Sequence, residues 1–294
     1  MYLRQLILPS EKEEIKVIEK ERRTCFNTFY PYKIFPDKGL RSLELGKLTL
    51  LYGGNGSGKS TLLNVMARLT NAARYSEFND APLFDRYARS CELVYSRMPR
   101  ECVVLTSDDV FNYVLNARSV NERLDEKRDA LFDKYVSTHR EMRDNPEIGK
   151  LRSFDDFDRW KETREILSPK KSQSAYVRNR VVDNVDLYSN GETAMQYFID
   201  HLDRDAVYFL DEPENSLSVE RQIELAEYLE ATALSTDSQL IIATHSPILL
   251  SMKRAKIYNL DSYPVSVAHW TDLPNVRRYF EFFMEHREEF LETR

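Results

Sequence analysis

Leu48-Thr49-Leu50-Leu51-Tyr52-Gly53-Gly54-Asn55-Gly56-Ser57-Gly58-Lys59-Ser60-Thr61 is the stretch that decides the fold. An apolar run suited to a buried strand ends abruptly in glycines, and residues 62–69 then read as a helix. Gly53, Gly58, Lys59 and Ser60 match G-x-x-x-x-G-K-[ST], with the strand before and the helix after that give this pattern its meaning. Glycines let the backbone curl so that successive N–H groups point at a polyphosphate, and the helix adds its positive dipole end. Lys59 is expected to reach the β- and γ-phosphates and the Ser60 hydroxyl to sit on Mg²⁺. Gly53, Asn55, Gly56, Ser57, Gly58, Lys59, Ser60 and Thr61 are the candidate nucleotide-binding residues.

Composition narrows what surrounds this loop. The chain has 294 residues, 42% hydrophobic and 31% charged, which suits a globular protein with a substantial core. A net charge of −6 does not advertise nucleic acid, so any such surface has to be a local patch. Cys25, Cys91 and Cys102 are three cysteines without C-x-x-C spacing, which argues against a disulfide framework or a zinc site. No apolar run approaches 18 residues and the N-terminus lacks a signal-peptide pattern, so a cytoplasmic location without membrane insertion is expected.

The rest of the chain reads as α/β with one interruption. Residues 2–8 suit a strand and Ser10 a helix start. Residues 40–45, a Gly46-Lys47 turn and the opening strand suit a hairpin. The aromatic stretch 24–38 offers either core packing or a platform for adenine. Residues 101–106 read as a buried strand ending in Ser107-Asp108-Asp109, where an aspartate fits either a metal shell or a helix cap. Between 119 and 185 the character turns charged and helical. Val120, Leu124, Leu131, Tyr135 and Met142 form one stripe on a helix spanning 121–145, and Phe154, Phe157, Trp160 and Ile166 suggest a second helix. Within 159–180 seven basic residues stand against two acids, which fits a nucleic-acid face or a solvated helix. Strands follow at 206–210 and 239–244, with a helix between them, two short strands at 256–260 and 265–268, and a terminal amphipathic helix over 275–291.

Four features then stand in order: the glycine loop, Ser189-Asn190-Gly191-Glu192 before a helix, Asp211-Glu212-Pro213 at one strand end, and His245 at another. Asp211 is suited to hold Mg²⁺ and Glu212 to orient or deprotonate an attacking water. His245 is suited to donate a hydrogen bond to the γ-phosphate.

This set resembles the ATP-binding-cassette (ABC) ATPases. Residues 53–61 look like their Walker A motif, Ser189-Asn190-Gly191-Glu192 like the signature motif, Leu210-Asp211-Glu212-Pro213 like the Walker B motif, Asn215-Ser216-Leu217-Ser218 like the D-loop, and His245 like the switch histidine. The wording Asp-Glu-Pro-Glu-Asn-Ser-Leu-Ser and Thr-His-Ser-Pro is similar to small bacterial ATPases of the non-transporter branch related to SMC, RecF and the OLD nucleases. Asn190, Ser218 and the lack of a glutamine after the 102–106 strand depart from the family pattern.

The resemblance implies a P-loop NTPase head over residues 1–294, with a mixed β-sheet flanked by helices and a helical subdomain inserted at 119–185. It implies ATP and Mg²⁺ as cofactors, with Glu212, His245 and Lys59 catalytic and Ser60 and Asp211 on the metal. It also implies a head-to-tail homodimer in which Ser189 and Gly191 contact the other copy's γ-phosphate. ATP-driven dimerisation would switch a partner effector, a nuclease or toxin, in DNA repair or anti-phage defence. The roughly thirty residues after Leu260 are too few for an OLD-type nuclease domain. The alternatives are a nucleotide-binding subunit of an ABC transporter, which would need the missing glutamine, and an ATP-dependent interaction module with negligible turnover.

Overall fold

The structure is a computed structural model that describes residues 1–21, 29–76, 81–145, 163–167, 172–178, 180–181, 190–215 and 217–291. It forms two compact units, Met1–Asn112 with Asn190–Arg294, and Tyr113–Ser189.

The larger unit is built on a six-stranded sheet of β3 (Leu48–Tyr52), β5 (Cys102–Thr106), β6 (Val207–Asp211), β7 (Gln239–Thr244), β8 (Lys256–Asn259) and β9 (Ser266–Val267), in the order β5-β6-β7-β3-β8-β9. The first five strands in that order are parallel, and β9 is antiparallel to β8. Every residue of β3 and β7 is buried. That burial accounts for their near-continuous apolar sequence, since a parallel sheet is covered on both faces. One cover is α2 (Lys59–Leu69), whose Leu62, Leu63, Val65 and Met66 join the main core.

A second, three-stranded antiparallel sheet places β1 (Leu3–Ile7) between β2 (Ser42–Glu44) and β4 (Glu92–Tyr95). The hairpin expected between residues 40–45 and β3 is therefore replaced: β2 pairs with β1, Leu43 opposite Leu6. The reason is that β3 is a central strand, with both its edges taken by β7 and β8. Buried Gln239 ties the two sheets together. Its Oε1 accepts from the Tyr2 and Leu3 amides (2.9 and 2.7 Å), and its Nε2 donates to the Leu3 and Gly46 carbonyls, both at 2.8 Å. A side-chain amide has two donors and one oxygen with two lone pairs, so Gln239 is fully satisfied without water.

Further helices connect the strands, among them α7 (Val219–Ser235) between β6 and β7 and α8 (Pro247–Leu250) after β7. The first in the chain is α1 (Glu11–Lys20), opened by a reciprocal Ser10–Glu13 capping box; α3 (Phe84–Ser90) precedes β4. The helix expected over 121–145 is longer than that: α4 (Ser107–Asp144) runs unbroken for 38 residues, about 57 Å. No glycine or proline occurs in it to stop it, and it ends just ahead of Pro146. In the smaller unit, Leu131, Phe132 and Tyr135 of α4 pack on Ile166 and on Tyr176 and Val177 of α5 (Gln173–Arg178). Val120, expected on the same apolar stripe, is instead exposed. Phe154, Phe157 and Trp160 lie outside the described residues.

Candidate functional site

Strand register delivers the candidate residues to one edge. Tyr52 of β3 is level with Thr244 of β7, Ala243 of β7 with Asp211 of β6, and Asp211 with Thr106 of β5. The glycine loop, His245, the Asp211-Glu212 pair and Ser107-Asp108 therefore all emerge at the carboxyl edge of a parallel sheet, where open α/β folds place their ligands. A cavity of about 660 Å³ opens there, lined by loop residues 55–61 together with Tyr30, Arg74, Asp108, Asp211 and Glu212 among others. That volume suits a nucleotide-sized ligand.

The loop is held by features only glycine permits. Gly58, at the start of α2, has φ +100°, and a Cβ on it would stand 2.9 Å from the buried Phe35 ring. A Cβ on Gly53 would come within 2.7 Å of the Ser57 side chain. The Gly54 amide donates to Asp261 Oδ2 at 2.8 Å, which clips the loop to the chain leaving β8. The first amides of α2 have no intrahelical acceptor, so they are open to phosphate oxygens. The buried Lys59 ammonium donates to the Gly53 and Gly54 carbonyls (2.8 and 3.2 Å) and lies 3.4 Å from Glu212 Oε1.

Ser60 Oγ donates to Asp211 Oδ1 at 3.0 Å. Burial is the main cause that pushes the Asp211 carboxyl up to about 6; the nearby Glu212 adds to this, while the Ser60 hydrogen bond and Lys59 oppose it. A carboxylate whose charge is disfavoured in this way, next to a hydroxyl oxygen, fits a divalent cation, which would relieve the penalty. Among the described residues no three His, Cys, Asp or Glu side chains cluster as a cage. Mg²⁺ bound by a hydroxyl, a carboxylate and phosphate oxygens needs no such cage.

Glu212 has a left-handed backbone, φ +49°, directly before Pro213. A non-glycine residue pays roughly 1–3 kcal/mol for this conformation. The Glu212 amide is fixed on the Ala243 carbonyl (2.9 Å), and Asn215 Nδ2 donates to Oε2 at 3.1 Å. Its Oε1 lies 3.6 Å from His245 Nδ1.

Sequence reasoning passed over Glu214, which organises the histidine. Glu214 is 4% exposed, and its Oε1 accepts from Thr244 Oγ1 (2.5 Å), the His245 amide (3.0 Å) and the Ser246 amide (3.2 Å). Its only sequence signal is a second acid two residues after Glu212. Asp261 and Arg74 were also missed. Arg74 donates to Asn64 Oδ1 at 2.9 Å, and nothing in its sequence neighbourhood marks it. Of the described aromatics in the 24–38 stretch, Tyr30 lines the cavity, its hydroxyl 2.8 Å from Thr61 Oγ1, while Phe35 belongs to the core.

The two aspartates at the end of β5 take different positions. Asp109 is buried and exchanges hydrogen bonds with Thr106 in a helix cap, whereas Asp108 lines the cavity. Ser189 lies outside the described residues, and so does Ser216. Asn190 and Gly191 begin α6 (Asn190–His201). In the 159–180 stretch Arg159, Lys161, Lys170 and Lys171 lie outside the described residues; Arg180 pairs with Glu165 and covers the Tyr176 ring at 4.0 Å, so that charge is used internally.

The comparison with curated proteins found no match. Two solved structures are similar to the chain. One is a "putative metal-chelate type ABC transporter" in an inward-facing conformation, with 14% identity, 96% of this chain and 90% of that chain covered, and a TM-score of 0.43. The other is the Smc head domain of Pyrococcus furiosus with an extended coiled coil, bound to the C-terminal domain of ScpA, with 13% identity, coverage of 97% and 99%, and a TM-score of 0.38. Residues 99–251 match the family described as "AAA domain, putative AbiEii toxin, Type IV TA system". With that match over half its length, and with the strand, glycine loop and helix of a P-loop beside the Asp-Glu strand end, the chain belongs to this AAA-domain family.

Proposed function

We propose that the protein binds ATP with Mg²⁺ and hydrolyses it, and that this cycle drives association of two copies. The observation that carries the reading is the convergence of Lys59, the Ser60–Asp211 pair and Glu212 on one cavity. In this reading the loop amides and Lys59 hold the phosphates, with Ser60 and Asp211 on the metal. Bound Mg²⁺ supplies charge neutralisation at the β- and γ-phosphates. Glu212 takes the proton of the attacking water, held in direction by its left-handed backbone and Asn215, while His245 donates to the γ-phosphate. Tyr30 is the candidate contact for the nucleotide's base. Ser189 and Gly191 of a second copy close the site.

The family description carries a toxin and a toxin–antitoxin system in its wording. That favours anti-phage defence over DNA repair as the setting, with a nuclease or toxin as the partner effector.

The test is phosphate release by the purified chain. Glu212→Gln should lower turnover by roughly 10²–10⁴-fold while ATP binding persists, and Lys59→Ala should abolish binding. ATP should then trap Glu212→Gln as a dimer. Absence of turnover in the wild type, or full activity in Glu212→Gln, would overturn the reading.

A further inference from the structure

The C-terminal segment consists of α9 (Pro274–Glu285) and α10 (Arg287–Leu291), joined at His286 with near-helical φ −93° and ψ 11°. Leu273 and Val276 are buried and anchor its start. Beyond them the apolar side is open: Tyr279, Phe280, Phe283, Met284, Phe290 and Leu291 are each between 48% and 71% exposed. Tyr279, Phe283 and Phe290, and beside them Phe280, Met284 and Leu291, fall at i, i+4 and i+11. They form two adjacent rows on one face, with Arg287 between them, and Arg277, Arg278, Glu281, Glu285, Glu288, Glu289 and the exposed Phe282 lie on the edges and the other side.

These six side chains expose on the order of 700 Å². That exceeds the few hundred Å² usual for a monomer's largest apolar patch and approaches the roughly 800 Å² per partner of a standard interface.

Charge says what covers the face. The basic pair Arg277-Arg278 stands near the N-terminal end of the segment and the acidic pair Glu288-Glu289 near the C-terminal end. Within the chain Arg277 lies 3.9 Å from Asp272, Glu289 lies 2.6 Å from His286, and Glu288-Glu289 open the second helix, where its dipole favours acids, so the arrangement is partly satisfied locally. It also suits an antiparallel copy of the same helix. Arg277 and Glu288 are eleven residues apart, about three helical turns, and so lie on the same edge of the aromatic face. A two-fold axis near residues 282–283 then brings each Arg277 to the other copy's Glu288. The same register sets Tyr279 and Phe280 of one copy over the 260 Å³ groove between Phe283, Arg287, Phe290 and Leu291 of the other.

We propose that α9–α10 is a nucleotide-independent dimerisation surface, packed antiparallel through its aromatic face against a second copy of this chain. It is separate from the ATP-dependent association proposed above and does not depend on it.

Sedimentation of the full chain without nucleotide, over micromolar to hundred-micromolar concentrations, tests this. Wild type and Lys59→Ala should both form a reversible dimer. The double variants Arg277→Glu/Arg278→Glu and Glu288→Arg/Glu289→Arg place like charges together at both ends, and each should weaken the dimer by at least about tenfold. Mixed in equal amounts, the two variants should restore it, because an all-acidic helix then faces an all-basic one. All four positions are exposed, and recovery in the mixture rules out misfolding as the cause of loss. A monomer at every concentration, a dimer untouched by either double variant, or a mixture that stays monomeric would overturn the proposal.

Discussion

Replacing Glu214 tests whether one buried carboxylate positions the histidine turn. In Glu214→Ala the Thr244 hydroxyl and the His245 and Ser246 amides all lose Oε1. Hydrogen bonds to a charged group contribute roughly 1.5–3 kcal/mol each, so three would sum to about 4–9 kcal/mol. Two effects reduce that. Ser246 N keeps a second acceptor in Thr244 Oγ1 at 3.0 Å. Moreover, Glu214 Oε2 is buried with no hydrogen-bond partner among the described residues, so removing the carboxylate also removes a desolvation penalty of a few kcal/mol. The net expectation is a loss of about 3 kcal/mol. For a chain of this size that lowers the melting temperature by roughly 6–10 °C, and ATP turnover should fall with it as His245 loses its tether. Glu214→Gln keeps a carbonyl oxygen for the same three donors and should cost under about 1 kcal/mol. Thermal unfolding of the nucleotide-free protein, followed by circular dichroism beside the phosphate-release assay, reads both variants. Glu214→Ala melting with the wild type, or Glu214→Gln falling as far as Glu214→Ala, would refute the reasoning.

Three further outcomes are expected from the geometry. Gly58→Ala forces a Cβ onto φ +100° and against Phe35, so calorimetric titration should show ATP binding lost and the melting temperature lowered. The folded Asp211 carboxyl, at about 6, lies above the ordinary aspartate value of 3.8. Its contribution to nucleotide-free stability is therefore complete below about pH 4 and lost as pH rises through about 6. Metal binding runs the other way: Mg²⁺ affinity in the presence of ATP should fall about tenfold between pH 7 and pH 5, and a flat profile would contradict the assignment. Burial pushes the Cys91 thiol up to about 12 and raises Cys102 as well. In a Cys25→Ser background a thiol reagent at pH 8 should therefore label neither until denaturant is added, and prompt labelling of the native protein would show that these sites open.

What the sequence makes legible depends on the range of the interactions involved. Residues 48–61 carry their meaning locally, since strand, glycine loop and helix are contiguous and Gly58 needs its own φ whatever the rest of the chain does. The ends of β6 and β7 are also readable, because short apolar runs stop at polar residues there. The pairing of β2 is not. Residues 40–45 and 48–52 look like a hairpin from their spacing, and only the claims of β7 and β8 on both edges of β3 exclude it. Glu214 and Asp261 act over distances of 30 to 32 and 207 residues, which no local pattern encodes. The start of α4 is obscured for another reason. Ser107-Asp108-Asp109 suits a cap or a metal shell equally well, and only the lack of any breaker through residue 144 signals that the helix is continuous.

The Gln239 clasp has a consequence for synthesis of the chain. Its partners Tyr2 and Leu3 leave the ribosome long before it, since the clasp spans 237 and 236 residues. At about 5–20 residues per second, the first strand waits on the order of 10–50 s for the side chain that fastens it. β3 also waits, though less long, since both its sheet neighbours are encoded after residue 238. Through that interval the nascent chain holds an apolar strand with two open edges. The shield nearest to hand is α2, encoded directly after the glycine loop, since Leu51 of β3 shares the main core with its Leu62, Leu63, Val65 and Met66.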